Sequence, residues 1–486
     1  MDLPGLRVVL VRITISPEAL RGPAIAPVFT HIYNTSLELE RIPACFKAAT
    51  IIPIPKKAKV SGLNDYRPVA LTSVAMKVME RLVLAHLKSI TDPALDPLQF
   101  AYRANRSTED AVNMALHYIL QHLDTAATYA RILFVDFSSA FNTILPHILE
   151  RQLSQLRVPV STCKWITDFL TNRTQRVKLG SCISSSRSTS TGSPQGCVLS
   201  PALFTLYTNS CTSLDPSVKL LKFADDTTLV GLISRGDESA YRREIERLQS
   251  WCSLNNLELN ALKTVEMVVD FRRSAAPPPP LMLGNTPVAT AEHCRFLGLT
   301  ISRDLKWGLN TLALLKKAHK RLFFLRQLKK FRLPKSIQTW FYTTIIESII
   351  TQSIITWFPA AVAKDKAKLQ RVIRIAERVI GTTLPSLELL HNTRALKRAR
   401  KIMEDPLHPG SALFQMLPSG RRLRLPRAVK SRHRLSFFPT AARLFTAQTL
   451  SRTECTVCTS LFVHCTLLLT ACISSALSTL LPQLLT

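Results

Sequence analysis

The sequence predicts an α/β fold of the α+β kind, and three stretches carry that expectation. Residues 218–233 read as two apolar, β-branched strands joined by a tight turn holding Lys222-Phe223-Ala224-Asp225-Asp226. Residues 131–136, Arg131-Ile132-Leu133-Phe134-Val135-Asp136, read as a buried strand that ends in a carboxylate. Between them, Thr191-Gly192-Ser193-Pro194-Gln195-Gly196-Cys197 is a Gly- and Pro-punctuated loop running into an apolar helix near residues 203–207. Neighbouring anions repel one another, and at a turn Asp225 and Asp226 can project towards one spot. A divalent cation is the usual neutraliser. The strand-end Asp136, the glycine loop and the Asp225-Asp226 pair therefore predict a two-metal phosphoryl-transfer site.

Composition bounds what the chain can be. At 486 residues and 46% hydrophobic it holds two or three domains with a proper core and is not disordered. Lys+Arg 63 against Asp+Glu 33 gives +30 and points to a polyanionic partner, nucleic acid before any other. The charge is uneven: residues 306–443 hold 29 Lys/Arg against 6 Asp/Glu, a net of +23. The 11 Cys are scattered, and Asp2, Arg7 and Arg12 interrupt any leader-like apolar run. A reducing, intracellular setting, nuclear and cytoplasmic, is expected.

In order and wording, the three stretches resemble motifs A, B and C of reverse transcriptases, and in particular those of the LINE-type, non-LTR retrotransposon group. The resemblance covers about residues 28–445. It implies a right-hand polymerase with fingers at 28–130, palm at 131–302, and a helical thumb with a basic C-terminal extension at 303–446. Residues 1–27 stay unassigned, and 447–486 form an apolar tail foreign to the family. The activity implied is RNA-directed DNA synthesis, nucleotidyl transfer onto a primer 3′-hydroxyl. It needs two Mg²⁺ ions, with Mn²⁺ as substitute, an RNA template, a DNA primer or target, and dNTPs; a membrane is not an expected partner. Family members commonly carry an endonuclease ahead of this region, so a truncated copy or incomplete gene is expected. The rival readings are a catalytically idle RNA-binding relic and an intron-maturase-like or RNA-synthesising polymerase.

The elements follow in chain order. Residues 28–34 read as an amphipathic helix. Residues 45–57 then give a strand ending in Lys56 and Lys57, with a turn at Ser61-Gly62 and a second strand through Tyr66-Arg67-Pro68. Two basic strands joined by a turn can fold over a triphosphate; the resemblance gives Arg67 a nucleotide contact, and Lys56 is either a second contact or a solvated strand end. Residues 74–87 show a helical period with Val74, Val78, Leu82 and Ala85 on the apolar face and charge opposite. A further helix is expected over 108–123, starting at Thr108 with Glu109 and Asp110 in its first turn.

In the palm the resemblance implies that Asp136 and Asp225 are metal ligands and that Asp226 supports them. It places Phe141 against the sugar 2′ position, where a ring excludes a ribonucleotide. Gly196 allows close backbone approach, and Gln195 can hydrogen-bond near the sugar or base. Lys263 matches the motif D lysine that attends the leaving pyrophosphate, or is a salt-bridged surface lysine. Residues 276–280 read as a stiff proline spacer. The following Cys294-Arg295-Phe296-Leu297-Gly298-Leu299 resembles motif E, a hairpin whose Phe296, Leu297 and Gly298 support the primer end. Residues 316–331 put Ala318, Leu322, Leu325 and Leu328 on one helix face and Lys317, Lys320 and Arg321 on the rest, a basic surface for phosphates. Helices are expected over 337–355 and 364–380, with a basic run at 420–424. In the tail, Cys455, Cys458, His464 and Cys465 invite a zinc reading that adjacent His-Cys ligands fit poorly.

Overall fold

The computed structural model describes residues 25–272, 279–418 and 422–448, and it divides into two compact units between Leu305 and Lys306. Helices and mixed sheets make the first unit α/β. Its elements run α1 (Ala26–Glu38), α2 (Ala44–Lys47), β1 (Ala48–Pro55), β2 (Tyr66–Leu71), α3 (Val74–Thr91), α4 (Thr108–Leu123), β3 (Thr128–Val135), α5 (Pro146–Gln155) and α6 (Val160–Leu170). There follow β4 (Arg173–Leu179), β5 (Cys182–Ile183), β6 (Arg187–Thr189), α7 (Ser200–Tyr207), β7 (Val218–Phe223), β8 (Asp226–Ser234), α8 (Ser239–Leu254) and β9 (Val265–Val269). Five short strands close the unit: β10 (Met282–Leu283), β11 (Thr286–Pro287), β12 (Ala289–Thr290), β13 (His293–Phe296) and β14 (Leu299–Ser302).

A five-stranded sheet in the order β12-β9-β3-β8-β7 holds the centre. β3 lies between two antiparallel partners, with Val135 opposite Thr227 on β8 and Ile132 opposite Met267 on β9. Both its faces are covered, which is why Thr128–Val135 reads as an almost unbroken apolar run rather than an alternating one. One charge interrupts it. Arg131, 1% exposed, donates to Glu266 at 2.6 and 2.8 Å and to Glu238 at 2.6 Å. Tyr241 donates to Glu266 at 2.8 Å and Tyr129 to Glu238 at 2.7 Å, so the buried charges are paired and hydrogen-bonded. Gly231 in β8 makes room for this cluster, since a Cβ there would stand 2.4 Å from the Tyr241 ring.

A second sheet carries β1 and β2 as an antiparallel hairpin with Ile54 opposite Arg67, and β4 runs parallel to β1. The hairpin bend is fastened by Lys57, whose ammonium lies 2.8 Å from Asp65. Helix α4 starts at Thr108 as expected, and Ser107 is the cap, its hydroxyl accepting from the Asp110 amide. The expected stripe on α3 is met only in part, since Val78 is buried and Leu82 packs against the core but Ala85 is exposed. Val74 is 77% exposed, while Met76, Met79, Glu80, Val83 and Leu87 are buried. Sequence periodicity places Glu80 on the solvent side, yet that carboxylate is fully enclosed and bonded to the backbone ahead of another helix.

In the second unit, α9 (Gly308–Lys330), α10 (Lys335–Phe341), α11 (Ser348–Ile350), α12 (Ile354–Trp357), α13 (Ala363–Ile380) and α14 (Leu387–Met403) form a helical body. α9 buries Leu314, Leu315, Ala318, Leu322 and Leu325. α13 buries Leu369, Val372, Ile373 and Ala376 at helical spacing and stops at Gly381, whose φ of 76° needs no Cβ penalty. The single helix expected over 337–355 is broken: residues Tyr342–Glu347 are π-helical and Ser353 turns left-handed at φ 49°. The proline run, apart from Pro279 and Pro280, falls outside the described residues, as do Gly420 and Arg421 and the tail beyond Gln448 with its Cys and His residues. No helix among the described residues is long and apolar enough to cross a membrane.

Candidate active site

The first unit encloses a cavity of about 750 Å³ whose walls come from both sheets. Lys56 and Arg67 of the β1–β2 hairpin, Asp136 and Phe141 after β3, Gln195 and Gly196 before α7, Asp225 at the β7–β8 turn, and Lys263 all line it. Residues scattered over much of the sequence are thus brought to one space.

The carboxylates reach it by strand geometry. Asp136 follows the last residue of β3, and the backbone of 258–264 wraps it: the Asn260 amide donates to the Asp136 carbonyl at 2.9 Å, and Ser138 donates to the Glu258 carbonyl at 2.9 Å. The β7–β8 turn is tight because Phe223 pairs directly with Asp226, leaving Ala224 at φ 58° and Asp225 as its tip. That register separates the two acids. Asp225 lines the cavity, whereas Asp226 is the first residue of β8 and is not part of the lining. Both are exposed. Asp225 and Asp136 thus share the cavity wall, and Asp226 stands beside it, near enough to both for their charges to act on its carboxyl. Loss of surrounding water, and then the charges of Asp225 and Asp136, push the Asp226 carboxyl above the usual range.

Among the described residues no group of three His, Cys, Asp or Glu side chains is arranged to hold a metal as it stands. The donor chemistry nonetheless suits a hard cation. Asp136 and Asp225 offer carboxylate oxygens on one cavity wall, and the crowding felt at Asp226 is what a divalent ion relieves. Lys263 stands 3.7 Å from Asp136 with 71% of its side chain exposed, a long and screened pair rather than a lock.

The Gly196 loop is fixed from three sides. Ser193 donates its amide to the Phe141 carbonyl at 2.8 Å, and Ala70 of β2 donates to the Gln195 carbonyl at 2.6 Å. Leu199 donates to the Glu80 carboxylate at 2.9 Å. Gly196 has φ 122°, and a Cβ there would stand 2.6 Å from the Ala70 carbonyl, so the loop lies against β2 only because this residue is glycine. Phe141 is half-buried, its ring 4.8 Å from that of Phe204 in α7.

The stretch that resembles motif E forms the β13–β14 hairpin, turned by Leu297 at φ 45° and Gly298 at φ 94°. Phe296 is buried and packs at 5.3 Å on Phe134 of β3; it anchors the hairpin, leaving Leu297 and Gly298 at its tip. None of the three lines the cavity. Lys317, Lys320 and Arg321 are exposed on α9 in the second unit.

Three residues that sequence reasoning passed over belong with the site. Tyr102, in the left-handed region at φ 59°, lines the cavity, and its phenol is pushed up by burial and then by the Asp225 charge. Asn260 lines it too and cradles Asp136. Lys222, three residues before Asp225, is 2% exposed; it pairs with Asp96 at 2.9 Å and donates to the Thr208 and Cys211 carbonyls at 2.7 Å. Leu98 and Phe100 exchange backbone bonds with Lys222 at 2.9 Å, extending the sheet edge up to the turn that carries Asp225. None of the three had a local cue, and Tyr102 least of all, since it stands between the good helix formers Ala101 and Arg103 and a bulky ring does not favour positive φ.

The family model described as reverse transcriptase (RNA-dependent DNA polymerase) matches residues 54–301, which is half of the chain and contains every cavity residue named above. The chain belongs to the reverse transcriptase family. It is 28% identical over 309 residues to the probable RNA-directed DNA polymerase from transposon BS of Drosophila melanogaster, covering 61% of this chain and 34% of that protein. It is 26% identical over 289 residues to the RNA-directed DNA polymerase from mobile element jockey of the same organism, covering 57% and 31%. The chain thus spans about a third of the length of the curated relatives it matches. A solved structure of apo telomerase from Candida tropicalis aligns with TM-score 0.42 at 11% identity, covering 88% of this chain and 72% of that one. Residues 307–348 also match the model of the N-terminal part of alkylated DNA repair protein alkB homolog 8.

Proposed function

We propose that this reverse transcriptase chain copies RNA into DNA by joining dNTPs to a primer 3′-hydroxyl, with fingers over 28–130, palm over 131–302 and a basic thumb over 303–446. The observation that carries the reading is the single cavity shared by Asp136, Asp225, Arg67, Lys56, Gln195 and Phe141. Asp136 and Asp225 would hold two Mg²⁺ ions, with Asp226 in support. Bound there, Mg²⁺ lowers the cost of forming the alkoxide and of expelling pyrophosphate.

The chain's own groups do the rest. Arg67 and Lys56 present charge-assisted donors to the triphosphate, the planar guanidinium being suited to two phosphoryl oxygens at once. Gln195 orients sugar or base, and the bare backbone at Gly196 lets the nucleotide lie close. The Phe141 ring fills the space a 2′-hydroxyl would need. Lys263 either neutralises the departing pyrophosphate or gives it a proton. Exposed Lys317, Lys320 and Arg321 take phosphates of the template and primer duplex. A reducing intracellular setting, cytoplasm and nucleus, suits the free thiols of the described cysteines.

Primer extension by the purified chain on an RNA template, with dNTPs or rNTPs and Mg²⁺ or Mn²⁺, tests the reading. Extension with dNTPs that vanishes in Asp136→Asn supports it. Binding of RNA without any extension would favour a catalytically idle RNA-binding relic.

A further inference from the structure

Glu80 is a buried acid with no part in the chemistry above. It sits on α3, 0% exposed, and one carboxylate oxygen accepts from the Leu199 amide at 2.9 Å while the other has no hydrogen-bond partner among the described residues. Burial raises its pKa, and the Leu199 and Val198 amides and then the Arg173 charge pull the other way. Arg173, the first residue of β4, is its counterpart. It is 3% exposed, its guanidinium lies 4.8 Å from the centre of the Phe169 ring, and it gives one donor to the Phe169 carbonyl at 2.8 Å. Its other terminal nitrogen has no hydrogen-bond partner among the described residues. Two buried opposite charges, each with an unused polar atom, thus stand close enough to interact, and one of them holds the backbone three residues beyond the cavity-lining Gly196. A free buried carboxylate is costly, and this one persists because the amides that open α7 converge on it.

We propose that Glu80 is a positioning residue for nucleotide selection: by tethering Leu199 from below, against the countercharge of Arg173, it sets where Gln195 and Gly196 stand in the cavity. The fingers hairpin enters the same linkage, because the Ala70 amide holds the Gln195 carbonyl and α3 follows β2 directly. Glu80 touches no reacting atom. Removing it leaves Asp136 and Asp225 in place and loosens only the wall that reads the nucleotide, so the effect falls on nucleotide binding rather than on turnover. This rests on the proposed polymerase function only for its kinetic consequence.

The experiment compares wild type, Glu80→Gln, Glu80→Ala and Arg173→Met in two measurements on the full chain. Amide hydrogen exchange, read at residues 196–200 against β7 and β8, follows the tether itself. Single-nucleotide insertion opposite an RNA template follows its consequence. The expected result in Glu80→Ala is exchange at 196–200 faster by about tenfold or more with β7–β8 unchanged, and a KM for dNTP about tenfold higher with kcat nearly kept. Glu80→Gln, which keeps an acceptor for the Leu199 amide, recovers most of both. Arg173→Met moves in the same direction as Glu80→Ala. Unchanged exchange and KM in Glu80→Ala overturn the proposal, and where that chain fails to fold the same outcome in Arg173→Met overturns it. A wild type that extends no primer removes the polymerase reading, while the exchange measurement still decides whether Glu80 tethers the loop.

Discussion

The Phe141 ring lies 4.8 Å from the Phe204 ring while also forming part of the cavity wall, so one side chain is at once core and gate. Phe141→Ala is expected to raise ribonucleotide use relative to dNTP and to lower stability by less than the roughly 3–5 kcal/mol typical of a wholly buried ring, because one face is already open. The ratio of kcat/KM for dNTP and rNTP, measured in protein that melts cooperatively, checks this. A ratio that does not move would mean the ring is packing alone.

Asp225 makes no hydrogen bond or ion pair to a described residue and sits at an exposed turn tip. Asp225→Asn should therefore abolish extension without lowering Tm, since it removes a repulsive charge and breaks no bond. RNA affinity should stay within about twofold, because the basic helix is untouched. Retention of even a tenth of wild-type extension at saturating Mg²⁺ would contradict the assignment of the turn.

Gly196→Ala places a methyl group 2.6 Å from the Ala70 carbonyl and forces a non-glycine residue to φ 122°. The backbone strain alone is of order 1–3 kcal/mol. Insertion activity should fall by at least about tenfold, whereas Gly236→Ala, at a positive φ with open space around it, should cost stability but not activity. Equal activity in the two variants would show that the loop tolerates being lifted off β2.

Lys222 and Asp96 form a pair whose side chains are 1% and 9% exposed. Lys222→Met leaves Asp96 buried without its cation and should cost about 3–5 kcal/mol by denaturant melting. The Lys222→Met, Asp96→Leu double variant should recover much of that stability. Additive losses would show that the two charges act independently.

Replacing Lys317, Lys320 and Arg321 together by Gln should weaken RNA binding of any sequence. It should also flatten the log-log salt dependence by up to about one unit for each phosphate that is no longer neutralised. An unchanged slope in a filter-binding salt series would make this a merely solvated face.

What the sequence made legible was whatever a short window encodes. β3, the β7–β8 turn and the glycine loop each advertise themselves through composition and period, and the structure brings Asp136, Asp225 and Gln195 around one cavity. The hidden parts depend on partners remote in the chain. Glu80 looks like solvent-facing charge until Leu199 is folded beneath it, and Lys222 looks like a strand lysine until Asp96 meets it. The difference between Asp225 and Asp226 hinges on a one-residue question of strand register, and periodicity does not resolve it. On α3 periodicity catches Val78 and Leu82 but misses Met76, Met79, Val83 and Leu87, because neighbours enclose the helix on more than one side and burial no longer follows a single apolar face.

The Arg131 cluster also carries a timetable. Its partners lie 107 and 135 residues further along the chain. At a ribosomal rate of about 5–20 residues per second, the strand around Arg131 waits roughly 7–27 seconds after its own synthesis before Glu266 exists to meet it. β8 and Glu238 are made first, so until β9 follows them Arg131 has only one of its two carboxylate partners to meet. The ion pairs of Arg131 are thus complete only once the chain has grown as far as Glu266.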